Sequence, residues 1–224
     1  MSFRFDLRTL PVESQAAALK EHRRLAEEVI DSLASQRMAA SSERMAEEGV
    51  EPSDPEWDMM VGDLEYEIKY QLPRFFRGPH LLMLWAAYEA SVREIAEHIR
   101  DLKSSEFSVL VLDDMAGDPL RKAVNYYRHI LQFDLYAEEG AWQKIRMLQD
   151  LRHVLIHASG RTDRIKPSLL KKLRGWEEAG VGVCTHYDHL TVSKELMASL
   201  SEAVTSELKS LTARFHNLAD QHSA

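Results

Sequence analysis

The sequence predicts an all-α fold, a helical bundle of about six helices with a small extended hairpin before the last one. Three observations carry that expectation. Residues 12–48 contain no Gly or Pro and are dense in Ala, Glu, Arg, Leu and Met, all good helix formers. Apolar residues recur at helical spacing in later segments, as in Leu196, Leu200, Val204, Leu208, Leu211 and Phe215. The connections between such segments are short, which favours neighbouring helices that pack on one another.

Taken in order, the first helix covers residues 12–48, with Ser41 and Ser42 as its weakest point and Gly49 as its stop. Its apolar residues, among them Leu19, Leu25, Ile30, Leu33 and Met38, suit close helix packing or a contact between copies. A linker at residues 51–55 follows, where Asp54 caps and Pro55 opens a second helix to about Tyr70. Pro73 and Pro79 then punctuate a connection. A third helix runs from about 79 to 104 with Leu82, Trp85, Ala86, Val92, Ile95 and Ile99 on its core side. Residues 107–112 are a short apolar run that fits a strand or a buried loop equally. Asp118 and Pro119 begin a fourth helix reaching about Phe133, and a fifth covers about 139–159, ended by Gly160. Beyond it lie a short helix at 167–176, a hairpin around 180–191, and the last helix at about 193–218.

Composition narrows the function classes. At 224 residues, with 45% hydrophobic and 29% charged residues, the chain can bury a substantial core and is expected to fold by itself. No stretch approaches the roughly 18 apolar residues needed to span a bilayer, and the first residues lack the apolar core of a signal peptide, so a cytoplasmic location without membrane attachment is expected. The net charge of −8 disfavours non-specific adhesion to nucleic acid but leaves room for a local basic site. The single cysteine, Cys184, cannot form an internal disulfide and is expected to be a small buried residue. Glycine-rich phosphate loops and the Gly-X-Ser-X-Gly nucleophile turn are absent, and no cofactor is called for.

The segment richest in chemistry closes the fifth helix: Asp150-Leu151-Arg152-His153-Val154-Leu155-Ile156-His157-Ala158-Ser159-Gly160. At about 100° per residue, Arg146, Asp150, His153 and His157 share one face, and Arg152 lies about 140° round from His157. Three readings fit this stripe. One is a solvated face with cations near a helix C-terminus, where the helix dipole favours them. Another is a metal site on His153 and His157, but the intervening Val154, Leu155 and Ile156 provide no glutamate, and no metal is expected. The last is metal-independent phosphodiester chemistry, which requires a group to take the 2′-hydroxyl proton, a donor for the leaving oxygen and a fixed cation for the phosphate. Histidine and arginine supply those parts.

The order Arg152, a polar residue at His153, three apolar residues and His157 resembles the Arg-polar-X-X-X-His signature of the HEPN superfamily, helical proteins of toxin, phage-defence and RNA-processing systems. Leu151 before the motif and Gly160 after it fit as well, and Trp85-Ala86-Ala87-Tyr88-Glu89 is similar to the aromatic and acidic segment on a preceding HEPN helix. The resemblance implies one helical domain over 1–224, with 79–224 as its core and 1–78 as an N-terminal extension. It also implies a homodimer whose two motifs face each other, acting as a metal-independent endoribonuclease in a toxin, phage-defence or stress-response setting. His157 would be the acid/base, Arg152 the phosphate cation, and His153 an orienting or assisting residue, where Asn is commoner. Where toxins paired with nucleotidyltransferase antitoxins carry a modified Tyr, this chain has Ser159, so that class of antitoxin partner fits less well than another antitoxin or a defence-system protein. The alternative is a non-catalytic scaffold that binds RNA or protein through the same cleft, and a further one is a structural dimer held by Arg152 and His157.

Other features are weighed beside the motif. Arg161, Arg164 and Lys166 open a basic stretch that continues to Lys171, Lys172 and Arg174 with only Asp163 against it, and they fit an RNA-tracking surface or a solvated loop. Tyr126, Tyr127, Arg128 and His129 can stack on and hold bases, although rings inside a helix more often belong to the core. His186 and His189, flanking Tyr187 and Asp188, receive no role.

Overall fold

A computed structural model describes residues 10–103, 110–136 and 139–222. The fold is all-α with a small two-stranded sheet before the last helix. Its elements are α1 (Leu10–Glu48), α2 (Pro55–Tyr66), α3 (Leu72–Leu102), α4 (Pro119–Asn125), α5 (Glu139–His157), α6 (Pro167–Glu178), β1 (Val183–His186), β2 (His189–Val192) and α7 (Lys194–His222).

α1 runs through Ser41 and Ser42 without a break. Ser42 Oγ donates back to the Met38 carbonyl at 3.0 Å, as Ser35 does to Asp31 at 2.9 Å, so these hydroxyls are spent inside the helix instead of ending it. The connection expected at Pro73 and Pro79 is not there. α2 passes into α3 through a π turn at Glu67–Gln71, in which the Leu72 N–H donates to the Glu67 carbonyl, and Pro79 sits inside α3. A proline inside a helix leaves the carbonyl four residues back without its donor. Here that carbonyl belongs to Phe75, which is 62% exposed, and Pro79 is exposed beside it, so water can take the open acceptor. The six continuous helices among the described residues therefore include one from 55 to 102 where two were expected. Of the apolar run at 107–112, residues 107–109 lie outside the described residues; Leu110 and Val111 are exposed, and Leu112–Asp114 make a single 3-10 turn.

The chain forms two compact units, each assembled from separate stretches. One comprises Met1–Lys20, Leu82–Arg152 and Ser199–Ala224. Its buried side chains include Trp85, Tyr88, Ile95, Ile99, Leu148, Leu151, Leu211 and Phe215, drawn from α3, α5 and α7. Tyr127 lies in a second π turn that extends α4, and its Oη donates to the Val92 carbonyl at 2.7 Å, fastening that turn to α3. Arg214 on α7 donates to the carbonyls of Asp134 and Leu135, holding the chain that leaves the turn.

The other unit comprises Glu21–Leu81 and His153–Ala198. Its buried apolar residues include Ile30, Leu81, Val154, Leu173, Val183, Leu190 and Val192. A buried ion pair crosses it: Arg77 on α3 donates through Nε and Nη2 to the two carboxylate oxygens of Glu27 on α1, each at 2.8 Å, and through Nη1 to the Val192 carbonyl of β2 at 2.9 Å. All three elements are thereby held in register by one guanidinium, whose fork satisfies a buried carboxylate with charge-assisted bonds.

β1 and β2 pair antiparallel, from Val183 opposite Val192 to His186 opposite His189. The two-residue turn between them is Tyr187-Asp188, both left-handed with φ of 45° and 59°. That backbone is the type I′ geometry whose twist matches a hairpin, and it ordinarily selects Asn and Gly. Entry into the hairpin is equally demanding at Gly182, where φ is +92° and a Cβ would lie 2.5 Å from Ser193 Oγ.

Candidate functional site

The end of α5 is built by a glycine-type C-cap. Ala158 and Gly160 both donate their N–H groups to the Val154 carbonyl at 3.1 Å, Ser159 and Gly160 take left-handed φ of 52° and 77°, and the helix stops. Val154 and Ala158 are buried, so the opposite side of this last turn is turned outward, and His153, Ile156 and His157 are exposed.

The two histidines are brought together, with ring centroids 4.5 Å apart and planes inclined by 48°. Two accessible imidazoles at this separation can both reach one small volume of solvent beside the helix end. Arg152 is half-buried on the rim of the same helix, and its Nε is enclosed without a hydrogen-bond partner among the described residues. An enclosed donor of this kind costs free energy until something accepts from it. Arg146, expected on the histidine face, is exposed and leans towards the Trp142 ring, with its guanidinium carbon 5.9 Å from the ring centre.

The basic stretch begins at the cap. Arg161 directs Nε and Nη2 onto the two oxygens of Asp163 at 2.9 and 2.6 Å, so its fork is already occupied by a carboxylate. Arg164 and Lys166 are exposed, with no carboxylate partner among the described residues. The hairpin is sewn to this same stretch: Leu190 donates to the Gly160 carbonyl and Thr162 donates to the Asp188 carbonyl, each at 2.8 Å. The tip of the hairpin is thus fixed beside the residues that follow His157.

Tyr126 and Tyr127 are buried, Tyr126 donating to the Leu110 carbonyl at 3.2 Å, so their rings serve the core and do not stack on a ligand. Arg128 and His129 are exposed beside them. Cys184 departs from its expected burial and is half-buried on β1. Burial and the adjoining Glu177 carboxylate push its thiol up, away from the reactive thiolate, and the same carboxylate accepts from Thr185 N and Oγ1 at 2.8 and 2.7 Å. Trp85 and Tyr88 are core residues, with Trp85 Nε1 donating to Glu89 Oε2 at 2.9 Å. Among the described residues, no group of three His, Cys, Asp or Glu side chains is placed to hold a metal ion.

Two groupings escape the sequence reading. His22 and His80 lie 58 positions apart, yet their rings stack with centroids 5.1 Å apart, their Nδ1 atoms at 2.9 Å. His80 is 1% exposed. Burial chiefly, helped by His22 and Arg23, pushes it down to about 4. Tyr66, Tyr70, His186 and Tyr187 form an aromatic cluster at the hairpin tip. The four-residue spacing of Tyr66 and Tyr70 on a helix was its only local signal.

No protein-family model, curated protein or solved structure matches the chain.

Proposed function

We propose that this protein is a metal-independent endoribonuclease of HEPN type, acting as a homodimer in a toxin, phage-defence or stress-response setting. The observation that carries the reading is the outward-facing histidine pair on the last turn of α5, His153 and His157, with rings 4.5 Å apart. Arg152, one residue before that pair, adds a guanidinium whose Nε awaits an acceptor among the described residues.

In this reading His157 removes the proton from a ribose 2′-hydroxyl, and the 2′-oxygen forms a bond to phosphorus while the bond from phosphorus to the 5′-oxygen breaks. An imidazolium returns a proton to the departing 5′-oxygen. The products are a 2′,3′-cyclic phosphate and a 5′-hydroxyl, with no external reactant consumed. Arg152 holds the phosphoryl oxygens as negative charge builds on them, a task suited to a bidentate fork. His153 keeps the His157 ring in place and assists the proton movement. Arg164 and Lys166 steer the RNA backbone towards the helix end, with Arg161 available once its Asp163 partner is exchanged for phosphate.

Incubation of single-stranded RNA with the protein in excess chelator is the test. Native protein is expected to cut, and His157→Ala to cut at least about a hundredfold more slowly, the usual scale for loss of a positioned acid or base. Arg152→Ala should fall by a similar factor with its fold intact. RNA binding without turnover in the native protein would instead assign the scaffold role.

A further inference from the structure

The hairpin tip carries a large ring where its two-residue turn calls only for left-handed backbone. Tyr187 occupies a left-handed turn position with φ of 45°, where a bulky side chain is disfavoured, and it is nevertheless 77% exposed. Its ring meets Tyr66 edge-on at 5.5 Å and His186 at 4.4 Å. Behind it, His186 lies flat on Tyr70, with centroids 3.9 Å apart and planes within 3° of parallel. A large ring held outward in an unfavourable backbone conformation, against Tyr66 and His186, gains little from burial. Strain retained at an exposed position points to a ligand.

The surroundings identify the class of ligand. Arg74 lies four residues beyond Tyr70 on the same helical side, and Arg164 and Lys166 follow from the segment to which the hairpin is bonded. Lys69 is committed to Glu65 at 2.8 Å and Arg161 to Asp163, whereas Arg74 makes no carboxylate contact among the described residues and lies over the Phe75 ring at 5.1 Å, and Arg164 and Lys166 are exposed on the segment bonded to the hairpin. His189, across the strand pair from His186, has Arg74 and Arg161 near it together with Asp163 and Asp188, and burial with the two guanidiniums pushes it down. Stacking rings interleaved with cations suit a polyanion whose flat groups are unpaired and can be splayed outward.

We propose that Tyr187, braced by His186, Tyr70 and Tyr66, is a stacking platform for the bases of single-stranded RNA, with Arg74, Arg164 and Lys166 holding the adjoining phosphates. The assignment rests on the ribonuclease reading of α5 and gives it a substrate form: unpaired RNA lies across the hairpin tip, and its next phosphates run past the cap at Gly160 towards His157. A duplex cannot use the platform, because its bases already stack on one another.

The test separates binding from cleavage. A fluorescein-labelled 12-nucleotide RNA in which every ribose is 2′-O-methylated has no nucleophile and cannot be cut, so fluorescence anisotropy reads affinity alone. Native protein and His157→Ala are expected to bind it equally. Tyr187→Asn, which suits the left-handed turn, should bind about tenfold more weakly while melting no lower than native, and Tyr187→Trp should restore affinity. A duplex of the same length should bind at least tenfold more weakly than the single strand. The platform is overturned if Tyr187→Asn binds as well as native protein, if duplex and single strand bind alike, or if neither binds. Cleavage of ordinary RNA by native protein but not by His157→Ala, alongside any of those results, would leave the catalytic reading standing without the platform.

Discussion

His80 shows how much the identity of a single buried residue matters. An imidazole that is 1% exposed, stacked on His22 and near Arg23, is held neutral, and its folded value lies near 4 against an ordinary 6.5. Above pH 6.5 the folded and unfolded chains bind the same number of protons at this position, and its contribution to stability is complete. Below that the unfolded chain takes a proton which the folded one refuses, so stability falls from 6.5 down to about 4. Urea unfolding followed at intervals from pH 7.5 to 4.5 should show this loss, and His80→Gln should lower its slope by close to one proton. Equal slopes in the two proteins would mean that His80 is not the group responsible. The pairing itself was not legible beforehand, because two histidines 58 positions apart carry no local pattern. Arg152, His153 and His157 could be singled out because helical steps place the two histidines on one face with Arg152 on its rim, and because their order resembles a known motif. Their exposure and the enclosed Nε of Arg152 depend on which side of α5 the core takes.

Elements were legible where the cause was local. Pro55, Asp118 with Pro119 and Gly49 mark helix ends at or next to the observed ones, and Gly160 lies three residues past the end of α5. The hairpin was anticipated, yet its turn lies at Tyr187-Asp188, where Asp suits a left-handed position and Tyr does not. Pro73 and Pro79 misled for a different reason. A proline's cost inside a helix depends on whether the carbonyl it abandons reaches water, and for Pro79 the exposed Phe75 meets that condition. Placement of the hairpin depends on Gly182, whose left-handed φ and closeness to Ser193 Oγ and Leu196 Cβ leave no room for a side chain. Gly182→Ala should cost about 2–4 kcal/mol, from the unfavourable backbone region together with overpacking. Chemical denaturation measures it, and a cost under about 0.5 kcal/mol, as at an ordinary surface position, would show that the hairpin can shift without penalty.

At the scale of the whole molecule, the all-α class follows from strong helix formers and periodic apolar stripes, and the chain's acidic balance coexists with a basic run that starts at the cap of α5. The assembly of each compact unit from separate stretches was not legible, since nothing in a local window says which distant helix covers a given stripe. The homodimer belongs to this scale too: light scattering behind a sizing column should return twice the mass of the chain, and a monomer at micromolar concentration would remove the two-motif cleft from the mechanism. The most direct test is cleavage of single-stranded RNA in the presence of chelator, with products resolved by their end groups. Native protein is expected to leave 2′,3′-cyclic phosphate ends, and His157→Ala to give at least about a hundredfold less product; intact RNA with native protein, or equal cutting by the variant, would mean that the end of α5 is not a ribonuclease site.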